Sequence, residues 1–258
     1  MIIETMKLYE VYERLDSLAP FDSAESWDNV GLMYGDPLQE IGSVVIALDP
    51  FFDVIEYARD HSVDLIITHH PLVFKPLSNI DLSVSIGRKI SMLAEFHISL
   101  VSMHTNLDMS RGGVSDTLAR ELGLLEVEDH GLMRIGLVGG ACRLDEWVRS
   151  LPFEYARIVD SKKQVHKVGV CPGSGMDLWV EAFKAGCDTF VTGDVRYHSA
   201  VDAWEAGLNV VDLGHSETEA LVVEPLADML RQVLDGVDIY AFEQRSLVKY
   251  VHIQEKET

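Results

Sequence analysis

Short, continuously apolar runs set the strongest constraint on how this chain folds. Residues 43–48, 64–68, 98–103, 167–170, 189–192 and 209–213 are dominated by β-branched and other apolar side chains without a polar stripe. Each reads as an interior strand covered on both faces. Helical spacing fills the gaps: 4–18, with Leu8, Val11, Leu15 and Leu18 on one side, then 54–59, 85–96, 114–122, 176–185 and 197–206. Strands alternating with helices imply parallel sheets, whose ligands sit beyond the C-terminal strand ends.

The stretch 131–167 has a different grammar, with short strands near 133–138 and 155–159 around a helix near 144–149. The sequence therefore predicts an α/β fold of two pseudo-repeated α/β units with mainly parallel sheets: an N-terminal half at 1–130, a short linking region at 131–167 and a C-terminal half at 168–258. An internal echo supports the repeat. Asp64-Leu65-Ile66-Ile67-Thr68-His69-His70 matches Asp188-Thr189-Phe190-Val191-Thr192-Gly193-Asp194 in pattern, and His104…Asp108 and His215…Glu219 each set a histidine four residues before an acid. Two such units packed together would bring their strand ends to one cleft.

Composition narrows the function classes. No run approaches the roughly 18 apolar residues of a membrane span, and the charged N-terminus argues against a secretory leader, so a cytoplasmic location is the expectation. Three cysteines, Cys142, Cys171 and Cys187, are odd in number and lack metal-type spacing. They read as reduced thiols, neither a disulfide framework nor a zinc ribbon. A formal charge of −21 opposes binding along a nucleic-acid backbone. A small anionic substrate stays open, because bound divalent ions reverse the field of an acidic protein locally.

The chemistry-bearing residues cluster at the predicted strand ends. His69 and His70 close the 64–68 strand, and Pro71 keeps His70 extended, where both rings can face one cavity. Neutral imidazole is the commonest protein metal ligand, and adjacent rings suit two neighbouring ions. With Asp108, His215 and Glu219 they make three imidazoles and two carboxylates, enough for two divalent cations if Glu219 bridges them. Water shared between such ions would be the nucleophile. Competing readings accompany several of these. Ser216-Glu217-Thr218-Glu219 also fits a capping box in which Glu219 reaches back to Ser216, Asp108 also fits a turn or helix entry, and His104 reads as a supporting partner rather than a ligand. The Pro172-Gly173-Ser174-Gly175 turn offers amides to an anion, with a plain tight turn as its rival. The acid clusters at 121–129 and 235–238 read as solvated surface, and the other six histidines, His252 among them, as surface or core residues.

Five motifs, Ser26-Trp27-Asp28-Asn29-Val30-Gly31-Leu32, Thr68-His69-His70-Pro71, His104-Thr105-Asn106-Leu107-Asp108, Thr192-Gly193-Asp194 and Gly214-His215-Ser216-Glu217-Thr218-Glu219, follow one another in the order seen in the Nif-three-like dinuclear-metal family. Members of that family are often labelled GTP cyclohydrolase 1 type 2 homologs, and the resemblance spans nearly the whole chain. It implies a two-metal cleft between related halves, ligands at His69, His70, Asp108, His215 and Glu219 with Glu219 bridging, and a toroidal homohexamer. The short middle region implies that the extra domain of some longer relatives is absent. The expected function is a metal-dependent hydrolase acting on a nucleotide, with GTP ring opening as the specific form; a two-metal phosphoesterase uses the same logic. A non-catalytic metal-binding or scaffold ring is the alternative from another class. The mixed donor set suits zinc, iron, manganese, cobalt or nickel.

Overall fold

Ile66 and Ile67 are neighbours in one strand, so their side chains leave opposite faces and enter different apolar clusters. Phe190 and Val191 divide in the same way in the second half of the chain. Burial on both faces is what the unbroken apolar runs predicted, and it gives two α/β sandwiches side by side. The structure is a computed structural model and describes residues 5–248.

The first sheet runs Asp238–Ala241, Ser43–Ala47, Leu65–Thr68, Ser99–Ser102, Gly31–Tyr34, parallel except for the last strand. Helices Leu8–Leu18 and Val223–Val233 pack on one face, and Phe52–Asp60 and Ser85–Phe96 on the other. The second sheet runs Leu125–His130, Met133–Cys142, Val165–Val170, Thr189–Thr192, Asn209–Asp212, Arg157–Val159, with a parallel centre of three strands and antiparallel flanks. Each sheet thus has a parallel trio at its heart, and the C-terminal ends of both trios face the same cleft.

The sheets divide the chain differently from the boundaries read in the sequence. Residues 131–167 contribute two strands and part of a third to the second sheet rather than a link. Leu125–His130, read as solvated surface, is exposed along its length but pairs as the outer strand of that sheet. The last helix and strand return to the first sheet, because the apolar face of Val223–Val233 shares a core with Leu8, Val11 and Leu15.

Two smaller expectations are corrected. The first helix starts at Leu8 rather than Glu4, which lies outside the described residues; Met6–Lys7 pairs antiparallel with Glu40–Ile41, and the Lys7 amide donates to Glu10 at 2.7 Å to open the helix. The apolar end of the 25–32 loop becomes the strand Gly31–Tyr34, pairing with Ser99–Ser102. No helix among the described residues is long and apolar enough to cross a membrane. Cys171 and Cys187 are buried, Cys142 is partly so, and all three are free.

Candidate metal centre

Neighbouring residues in a strand point apart, so bringing His69 and His70 to one cavity needs a backbone device. Thr68 supplies it. Its hydroxyl donates to the His70 carbonyl at 2.7 Å and curls the chain as the strand ends, while the His69 and His70 amides still donate to Ala47 and Leu48. The two ring centroids end 5.1 Å apart. Asp108 comes from the five-residue helix Thr105–Met109 after the Ser99–Ser102 strand. His215 and Glu219 come from the matching helix His215–Glu219 after Asn209–Asp212, so the cleft draws on both sheets.

All five expected residues meet there. His69 Nε2 lies 3.7 Å from Asp108 Oδ1 and 3.7 Å from Glu219 Oε1. On the other side of the carboxylate, Glu219 Oε2 lies 2.9 Å from His70 Nε2 and 3.1 Å from His215 Nε2. Glu219 therefore addresses two groups with its two oxygens. His104, read as a supporting residue, stands closer than that: its ligand-type nitrogen lies within 4.8 Å of those of His69 and His70, as the donor atoms of His70, His215 and Glu219 do of one another.

Behind the four imidazoles stand groups outside the five residues expected as ligands. His69 Nδ1 donates to the Met103 carbonyl at 2.9 Å, His70 Nδ1 to Asp49 at 2.8 Å, His104 Nδ1 to Asp28 at 2.8 Å and His215 Nδ1 to Asp194 at 2.7 Å. A carbonyl or carboxylate on Nδ1 fixes the proton there and turns Nε2 inward, the arrangement that metal-binding histidines use. The signal existed: Asp28 and Asp194 lie inside the motifs, and Asp49 closes a parallel strand just before Pro50.

Burial and mutual contact shift the protonation of these side chains strongly. Burial pushes the Asp108 carboxyl up to about 7, only partly offset by His69. Burial would lower His70, yet Asp49 and Glu219 raise it to about 10; contact with Glu219 likewise lifts His215 to about 9 against its burial. Glu219, 4% exposed, is held well below the usual range because three imidazoles outweigh its burial. Even so, His69 Nε2, Asp108 Oδ1 and Glu219 Oε2 are buried without a hydrogen-bond partner among the described residues. Each such orphan costs about 1–3 kcal/mol. Three orphaned ligand-type atoms converging on one spot fit divalent cations.

The competing readings separate on this geometry. Glu219 does not fold back as a cap, and the His215–Glu219 helix has no side-chain cap. Asp108 does lie in the first turn of its five-residue helix, but it is 9% exposed and its carboxylate faces His69, so helix entry and a place in the cleft coincide. The Gly173 and Gly175 amides are taken by the Thr218 and Thr192 hydroxyls, each at 2.9 Å, so that turn is structural rather than an anion cradle. His61, His97, His130, His166 and His198 are exposed, and His252 lies outside the described residues.

A family model described as Duf34/NIF3 (NGG1p interacting factor 3) matches residues 6–246. The chain belongs to the Duf34/NIF3 family. Its relatives include proteins named GTP cyclohydrolase 1 type 2 homolog from Campylobacter jejuni, 37% identical over 231 residues covering 88% of this chain and 93% of that protein, and from Clostridium perfringens, 33% identical over 245 residues covering 90% and 94%. Among solved structures, a hypothetical protein of Staphylococcus aureus superposes with a TM-score of 0.89 at 27% identity, over 96% of this chain and all of that one. The Duf34/NIF3 fold thus frames the cleft, and two cavities of this member differ in their relation to it. One of about 490 Å³ opens on His70 and His215. A larger one of about 930 Å³ lies at the N-terminal strand ends, beside Asp64 and His97, and touches none of the five residues. Ligands of parallel sheets gather at the other end.

Proposed function

We propose that the chain is a hydrolase acting on a nucleotide, in line with its relatives' name GTP cyclohydrolase 1 type 2 homolog, and that it depends on two divalent cations. The observation that carries this is the convergence of orphaned buried donors from His69, Asp108 and Glu219 beside the His70–His215 pair. In this reading His69 and Asp108 on one side, His70 and His215 on the other, and Glu219 between them would hold the cations. Such a pair supplies Lewis acidity and lowers the pKa of a hydrolytic water.

The chain's own residues set the conditions for that chemistry. Asp49, Asp194 and the Met103 carbonyl keep the Nδ1 protons in place, so each Nε2 presents a lone pair inward. His69 and Glu219 are buried and exclude bulk water, whereas His70 and His215 border the cavity, which makes their side the route for substrate. Zinc, iron, manganese, cobalt and nickel all suit the mixed donors. Metal analysis followed by turnover of GTP and a phosphodiester panel tests the proposal and separates ring opening from ester cleavage. His69→Ala and Glu219→Ala lose activity by more than the roughly 10–100-fold typical of losing a supporting group. Unchanged turnover in those variants contradicts a hydrolase at this site; full metal content without turnover favours the non-catalytic ring.

A further inference from the structure

We infer that the cavity beside His70 and His215 is the substrate pocket and that Arg245 is its anion-recognising residue. The inference rests on the nucleotide reading above and adds what selects the substrate. At about 490 Å³ the cavity falls in the range of small-molecule sites, with an apolar wall from Leu48, Phe51 and Ala220 and a few polar groups around it. Its outer wall is the segment of residues 244–248, which is tied to both halves of the cleft. The Gln244 amide brackets Asp49, accepting from its backbone N–H at 2.7 Å and donating to its carboxylate at 3.3 Å. Ser246 donates to Glu217 at 2.7 Å, and Tyr155 donates to the same oxygen at 2.7 Å.

Arg245 lies between these two ties and lines the cavity. The lining carboxylates are already engaged: Asp49 holds His70 and Gln244, and Glu217 holds Tyr155 and Ser246. Arg245 makes no hydrogen bond or ion pair among the described residues. In a chain with 42 acidic and 21 basic residues, an exposed guanidinium that has no carboxylate partner among the described residues and stands beside the centre is an open receptor for an anion. Its planar fork matches two oxygens of a phosphate. The phosphate of the nucleotide is thereby anchored at Arg245, with the rest of the molecule lying along the apolar wall toward His70 and His215.

Equilibrium binding of GMP and of guanosine to the full chain as purified tests this, with unfolding midpoints confirming that each variant is folded. The wild type binds GMP about tenfold or more tighter than guanosine, the size of a charge-assisted contact. Arg245→Ala loses most of that preference while guanosine affinity holds, and Arg245→Lys, which keeps the charge but not the fork, falls between. A preference unchanged in Arg245→Ala overturns the inference and leaves the nucleotide reading standing. Failure of the wild type to bind either compound overturns both.

Discussion

Gly173 shows how finely the centre depends on single residues. It has φ +60°, and a Cβ there would lie 1.9 Å from Glu219 Oε1 and 3.3 Å from His215 Nε2. Gly173→Ala therefore displaces the carboxylate that faces both groups, and metal content measured by elemental analysis falls while the fold persists. Asp49→Ala acts one step further out: His70 loses the acceptor that orients it, and cation affinity drops by about 10–100-fold in calorimetric titration. Protons compete with cations for the same atoms. In the metal-free protein His70 and His215, raised to about 10 and about 9, carry extra protons at neutral pH, and Asp108 at about 7 is partly protonated. Cations bind the deprotonated forms, so loading releases protons and affinity climbs as pH rises from 6 toward about 9. Titrations in buffers of different ionisation enthalpy read that release; a pH-independent affinity contradicts it.

The internal echo acquires a physical basis at the scale of strands and short helices. Asp64 accepts from the Gly42 and Ser43 amides at 2.8 and 3.0 Å, and Asp188 from His166 and Lys167 at 3.0 and 2.8 Å, so each aspartate pins the start of the neighbouring strand. Replacing either by Ala leaves two amides without that acceptor and costs about 1–3 kcal/mol in chemical denaturation. The two threonines differ in use: the Thr68 hydroxyl shapes the turn after its own strand, whereas the Thr192 hydroxyl holds the 173–175 turn after the neighbouring strand. The helices correspond less simply. Thr105 and His215 both open their helices, so the histidine of the first motif is a cap and that of the second a helical residue, a shift of one position. Spacing between a histidine and an acid was legible in the sequence; that shift was not, because it depends on where the helix starts. The same distinction explains the rest. Interior strands and the five converging residues declare themselves by local pattern, as 64–68 with His69 and His70 does. Leu125–His130 and Asp238–Ala241 do not, since an exposed outer strand has no apolar run and its pairing is set by tertiary contact. Asp49 and Asp194 escaped for a related reason: an acid that steadies a ring looks in the sequence like any loop acid.

Across the whole molecule, two sandwiches meet with the C-terminal ends of their parallel strands facing one another, so the centre exists only when both are folded and docked. Phe74, Leu77, Ile80, Leu82 and Val84 form a run of exposed apolar side chains in the irregular segment before the Ser85–Phe96 helix. Exposed apolar surface is one feature of sites that meet another chain. We propose that it is covered in a homohexamer, and light scattering on the purified protein is expected to give the mass of six chains; a monomer at micromolar concentration contradicts this. The central claim is that both halves grip one pair of cations through Glu219. An anomalous-scattering map from crystals of the metal-loaded protein tests it most directly. The account predicts two peaks in the cleft, one on either side of the Glu219 carboxylate, the first against His69 and Asp108 and the second against His70 and His215. A single peak that Glu219 does not touch, or a cleft without any peak while cations sit elsewhere, would contradict it.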